Sequence, residues 1–153
     1  GSLVKTINAR LTLASRGRLT DFTARNDSLK WGVPRPAPLA ISATEYVPPV
    51  PVYEQVEESL LALVNNTEMT ATEKALEAFA WGARGQFFWD GNKRTSMTLA
   101  NKILVSAGAG ILTITDRHME QFNTLLLHYY NTGDSSDLKE FLYRDAIQGI
   151  EMQ

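Results

Sequence analysis

Thr70 and Glu73 stand three positions apart just ahead of Leu76, Phe79, Ala80 and Ala83, and this pairing constrains the fold more than any other local pattern in the chain. A threonine followed at that interval by a glutamate satisfies two orphan N–H groups of a helix start, each side chain bonding the other's backbone. The apolar residues behind the pair recur at helical spacing, so an amphipathic helix opens here and carries the chain up to Gln86. A second apolar series, Met97, Ala100, Ile103, Leu104 and Ala107, follows and stops at Gly108 to Gly110. The segment therefore reads as helix, loop, helix, with the loop at Phe87 to Gly91.

That loop and the start of the second helix carry Asp90, Gly91, Asn92, Lys93 and Arg94. A helix start leaves backbone N–H groups unpaired and bears a partial positive charge, so an anion placed there gains hydrogen bonds and a favourable field. Gly91 permits a tight turn and a close approach to a ligand. Lys93 and Arg94 add charge, Arg94 as a fork suited to phosphate oxygens. Asp90 repels phosphate unless a magnesium ion bridges the two. The same residues also suit a plain polar loop that caps a helix.

Gln86 to Arg94 resembles the signature of the Fic family, including its death-on-curing branch, written H-x-F-x-[D/E]-G-N-[G/K]-R. The chain matches it at Phe88, Asp90, Gly91, Asn92, Lys93 and Arg94, and departs from it at Gln86, where the family has histidine. Gly32-Val33-Pro34-Arg35, Ile41 and Tyr46-Val47-Pro48-Pro49 are similar to the run that forms the family's substrate-holding flap. Asn101 to Gly108 is similar to its central helix, and Phe122 to Leu142, with the Gly133-Asp134 turn, to its closing helix pair.

The resemblance implies an all-α fold, a compact helical bundle with a small β-hairpin flap at Leu39 to Val47 that holds a target protein. It implies ATP or another nucleotide with Mg2+, and transfer of AMP, or of a phosphoryl group in the death-on-curing branch, to a protein hydroxyl. Asp90 would carry the magnesium; Gly91, Asn92, Lys93 and Arg94 would bind the nucleotide; Gln86, Asn92 and Arg94 would occupy the catalytic positions. Met97 stands where the larger family pattern has a second arginine, and with Lys93 it leans toward the death-on-curing version. The family's inhibitory pattern, Ser or Thr four residues before Glu and then Gly or Asn, does not occur in the chain. An inhibitor, where one is needed, would come from other sequence or a separate protein.

Gln86 decides what such a site can do. An amide has essentially no basicity near neutral pH, so it can hold a hydroxyl but cannot take its proton. Three readings stay open: a transferase with weak, altered or absent catalysis, a noncatalytic interaction module that uses the flap, and an active enzyme silenced by an introduced glutamine. His118 and His128 lie near opposite ends of one helical stretch and read as surface or capping residues. Phe88 reads as core; Phe87 and Trp89 suit either core or a nucleotide wall. A Walker A loop is excluded because Asn92 separates Gly91 from Lys93, and Gly108-Ala109-Gly110 lacks the third glycine of a dinucleotide fingerprint.

The remaining sequence fits one domain, residues 3–153, with Gly1-Ser2 reading as a tag remnant. Hydrophobic residues make up 44% of the chain and charged residues 21%, which suits a folded globular protein. A formal net charge of -2 with no basic run argues against nucleic acid or an acidic membrane as partner. No segment reaches membrane-spanning length, and a chain without cysteine is compatible with the cytoplasm. Further helices are expected at about Leu3 to Ser15, Tyr53 to Asn65, Asp116 to Asn131 and Ser135 to Gln148, the last capped by Asp134. All six prolines fall between Gly32 and Pro51, which fits an edge hairpin or extended flap there.

Overall fold

The computed structural model describes residues 35–36, 40–41 and 43–149. The helix expected near residues 3–15 lies outside them, as do Gly32 to Pro34 and Leu39. Helix α1 (Tyr53–Val64) follows the last proline and buries Val56 and Leu60, one turn apart on a single face. Asn66 then turns the chain, its Oδ1 accepting from the N–H groups of Glu68 and Met69 at 2.8 and 3.1 Å.

Helix α2 (Ala71–Gly85) opens on the expected capping box: Thr70 Oγ1 accepts from the Glu73 N–H at 3.2 Å, and Glu73 Oε2 from the Thr70 N–H at 2.8 Å. A cap of this kind contributes about 1 kcal/mol. Helix α3 (Asn92–Ser106) packs closely on α2, since a Cβ on Gly82 would stand 2.5 Å from Ser96 Oγ. Beyond it, strand β1 (Ile111–Leu112) leads through a single 3-10 turn, Asp116–His118, into helix α4 (Met119–Thr132), which Gly133 closes at φ 77°. Helix α5 (Ser136–Phe141) completes the bundle. Phe79, Ala83, Leu104, Phe122, Leu126, Leu138, Phe141 and Leu142 meet in one buried core between these helices. The fold is thus all-α, as expected.

Two expectations change. The hairpin at Leu39 to Val47 does not form in its described residues, 40, 41 and 43–47, none of which is in a strand. The segment turns instead, with Ala43 at φ 64° and the Thr44 N–H donating to the Ile41 carbonyl at 3.2 Å. A two-stranded ribbon is marginal without a sheet to join, and Pro48 and Pro49 remove two donors from its far end. The small sheet lies elsewhere: β1 pairs antiparallel with β2 (Ile147–Gln148), Ile111 opposite Gln148 and Leu112 opposite Ile147. Asn101 seals this pair, its amide donating to the Leu112 carbonyl at 2.9 Å and accepting from the Leu112 N–H.

The last helix is correspondingly shorter than Ser135 to Gln148. It widens into a π turn at Leu142–Ala146 before β2, because pairing with β1 draws Ile147 and Gln148 out of helical geometry. Asp134 still serves the helix start, accepting from the Ser136 N–H at 2.9 Å and from its hydroxyl at 2.7 Å.

Candidate functional site

Helix α2 ends at Gln86, which adopts the left-handed conformation at φ 47° and ψ 50°. For a residue other than glycine this is an uncommon backbone, held by surrounding contacts. Arg35 supplies several of them. Its guanidinium is buried, 1% exposed, and donates to the carbonyls of Gln86, Gly85 (3.4 Å) and Pro49 (2.6 Å), while its N–H bonds the Phe87 carbonyl at 3.1 Å. A cation at this end of α2 also meets the negative end of the helix dipole. The arginine of the flap run therefore fastens that run to the start of the motif loop.

The Gln86 side chain is buried and bonded at both ends. Its Nε2 donates to the Ala83 carbonyl at 2.6 Å and lies 3.4 Å from the Tyr130 hydroxyl, and its Oε1 accepts from Asn92 Nδ2 at 3.1 Å. Asn92 in turn brackets Phe88, accepting from its N–H at 3.0 Å and donating to its carbonyl at 2.8 Å. The Asn92 side chain thus shapes the loop, and what it offers a ligand is its backbone N–H in the first turn of α3.

Gly91, at φ 77°, is the N-cap of α3 and gives that helix no side-chain cap. Asp90 Oδ1 accepts from the Gly91 N–H at 2.8 Å, and Asp90 Oδ2 stands 4.0 Å from Arg94 Nη2. Both side chains are well exposed, so this ion pair contributes little to stability. Lys93 is exposed beside them.

These residues share one open cleft of about 620 Å³, lined by Gln86, Trp89, Asp90, Gly91, Asn92, Lys93 and Arg94 on one side and by Asn123, Leu126, Leu127 and Tyr130 of α4 on the other, with Ile41 at the rim. That volume falls in the range of small-ligand sites. Every residue assigned to the site from the sequence is therefore brought to one place. Among the described residues Asp90 is the one carboxylate in the cleft lining, which fits magnesium, an ion that binds through one or two carboxylates together with substrate phosphates.

The α4 wall was not foreseen. Its residues follow an ordinary amphipathic pattern, and nothing local marks Asn123 or Tyr130 as facing a cleft. Trp89 faces the cleft, whereas Phe88 is core and Phe87 packs on Trp81 at 4.8 Å between ring centroids. Met97 packs against the core and offers nothing to an anion. His118 sits edge-on to Phe141, and neither it nor His128 lines the cleft. Among the described residues no group of three or more His, Asp or Glu gathers into a metal cage, and no helix is long and apolar enough to cross a membrane.

No curated protein matches the chain. The model of the Fic/DOC family matches residues 2–104, more than half of the chain, from ahead of the flap through the motif and most of α3. With the motif loop, the uncapped helix start and the cleft in front of it, this match shows that the chain belongs to the Fic/DOC family.

Proposed function

We propose that the protein binds a nucleotide, ATP for preference, with Mg2+ in the cleft before α3, and acts as an AMP or phosphoryl transferase toward a protein hydroxyl with weak, altered or absent catalysis. One observation carries the reading: Asp90, Gly91, Lys93 and Arg94 open together onto a cleft at an uncapped helix start. The amides of Asn92 and Lys93 and the Arg94 guanidinium are suited to hold phosphate oxygens. Asp90 would hold the magnesium, which when bound neutralises phosphate charge. Gln86 stands at the base position without basicity, and general-base catalysis contributes roughly 10² to 10⁴-fold. Positioning and charge stabilisation supply much of phosphoryl-transfer catalysis and do not depend on that residue.

A second reading has its own support. Gln86 is fully engaged in buried hydrogen bonds, and Val47, Val50 and Val52, on the run from the flap to α1, are exposed at 58%, 41% and 47%. A noncatalytic module that recruits a protein at the flap would have these features. The test compares the protein with Gln86→His, using ATP labelled separately at the alpha and gamma phosphates and supplied with cell lysate. Alpha label on protein identifies AMP transfer, and gamma label phosphoryl transfer. Transfer by neither, with Mg-ATP still raising the melting temperature, identifies the module; no thermal shift at millimolar Mg-ATP overturns nucleotide binding itself.

A further inference from the structure

The hydrogen-bond polarity around Gln86 is fixed from both ends by backbone groups, which cannot be reversed. The Phe88 N–H must meet the Asn92 oxygen, and the Phe88 carbonyl must meet the Asn92 nitrogen. The Asn92 nitrogen also reaches Gln86, so the atom facing it is the Gln86 oxygen. The Gln86 nitrogen then faces the Ala83 carbonyl, which only a donor can approach at 2.6 Å. Backbone groups of two separate residues, Phe88 and Ala83, thus agree on which way both amides point.

The consequence falls on Tyr130. Its hydroxyl oxygen stands 3.4 Å from a nitrogen that already carries hydrogens, so at that contact the oxygen can only accept. Its own proton cannot go to Gln86, and no other acceptor for it lies within reach among the described residues. The residue is 4% exposed, and it lines the cleft. The cleft in front of it is open, so this proton is directed to where solvent or a ligand oxygen can accept it. The neighbouring Tyr129 shows the contrast, its hydroxyl donating to the Ala80 carbonyl at 2.9 Å inside the bundle.

We infer that the Tyr130 hydroxyl donates a hydrogen bond to a phosphate oxygen of the nucleotide, from the wall opposite Lys93 and Arg94. The inference rests on the nucleotide-binding reading above and adds to it a ligand-contacting residue on α4. Burial, the largest influence on this phenol, raises its pKa, so it remains a donor throughout the physiological range. Gln86 gains a second role: its amide keeps the phenol proton turned to the cleft, where a side chain presenting an acceptor would capture it.

The test is Tyr130→Phe, which removes only the hydroxyl, titrated calorimetrically with Mg-ATP and with Mg-tripolyphosphate. A donor to phosphate predicts a loss of about five- to twentyfold in affinity for both. In the unaltered protein, the Tyr130 13Cζ resonance should move when either probe is added. Equal affinity of the variant and the unaltered protein overturns the assignment of Tyr130 while leaving nucleotide binding intact. A loss confined to ATP overturns the phosphate assignment, because the hydroxyl then meets the sugar or base. If the unaltered protein binds neither probe, the nucleotide reading and this inference fall together.

Discussion

The guanidinium of Arg84 lies over the Tyr46 ring, 3.8 Å from its centroid, and so ties the last turn of α2 to the flap segment two residues ahead of Gln86. The same side chain donates to the Tyr130 carbonyl at 3.2 Å and stands 5.8 Å from the Tyr129 ring. Flap, motif helix and cleft wall meet at this residue. Arg84→Ala is expected to destabilise the protein by about 1–3 kcal/mol and to speed amide exchange at Glu45 and Tyr46. Arg84→Lys should fall between, since an ammonium keeps the charge but loses the flat stacking surface. Unchanged exchange in the alanine variant would show that the flap is held by other contacts.

Asn92 braces the motif loop through three hydrogen bonds in a buried setting. Replacing it by alanine leaves the Phe88 N–H and carbonyl without their partner, at a cost of about 2–4 kcal/mol in urea unfolding. Asn92→Asp should be worse. It turns a carboxylate oxygen toward the Phe88 carbonyl and the Gln86 oxygen, both of which need a donor. An aspartate variant as stable as the alanine one contradicts the polarity that directs the Tyr130 proton to the cleft.

Gly82 tests the close contact of α2 with α3. In an exposed helix, glycine to alanine gains about 1 kcal/mol. Here the added methyl meets Ser96 Oγ at 2.5 Å, so Gly82→Ala should lower the melting temperature, with an overpacking cost of about 1–3 kcal/mol. Placing the change in a Ser96→Ala background removes the nearer atom and should recover part of the loss. Stabilisation by Gly82→Ala alone would mean that the helices stand further apart.

Asp134 gives an acid-side signature. The Ser136 hydroxyl, and then the Ser136 N–H, hold its pKa below the ordinary 3.8. Because the folded pKa lies below the unfolded one, the unfolded chain takes up the proton first. The stabilisation is present above the unfolded value and is lost as pH falls through the folded one. Melting curves of the protein and of Asp134→Ala should differ at neutral pH and converge as the pH drops below 3.8. A gap that persists on acidification points to a role unrelated to this carboxylate's charge.

The local signals were legible because their partners lie within one turn of chain. Thr70 finds Glu73 three residues on, and Gly91 sets the start of α3 by its own backbone freedom, so the helix–loop–helix and the cluster from Asp90 to Arg94 follow from sequence. What the tertiary structure decided depends on distant partners. Gln86 meets Tyr130 across 44 positions, and Arg35 meets Gln86 across 51. No local pattern encodes such contacts, so the opposite wall of the cleft and the anchoring of the flap stayed hidden. The described part of Leu39 to Val47 forms no hairpin for the same reason: strand propensity there is a local property, whereas a ladder needs a second strand. Packing brings that partner to Ile111 and Leu112 instead.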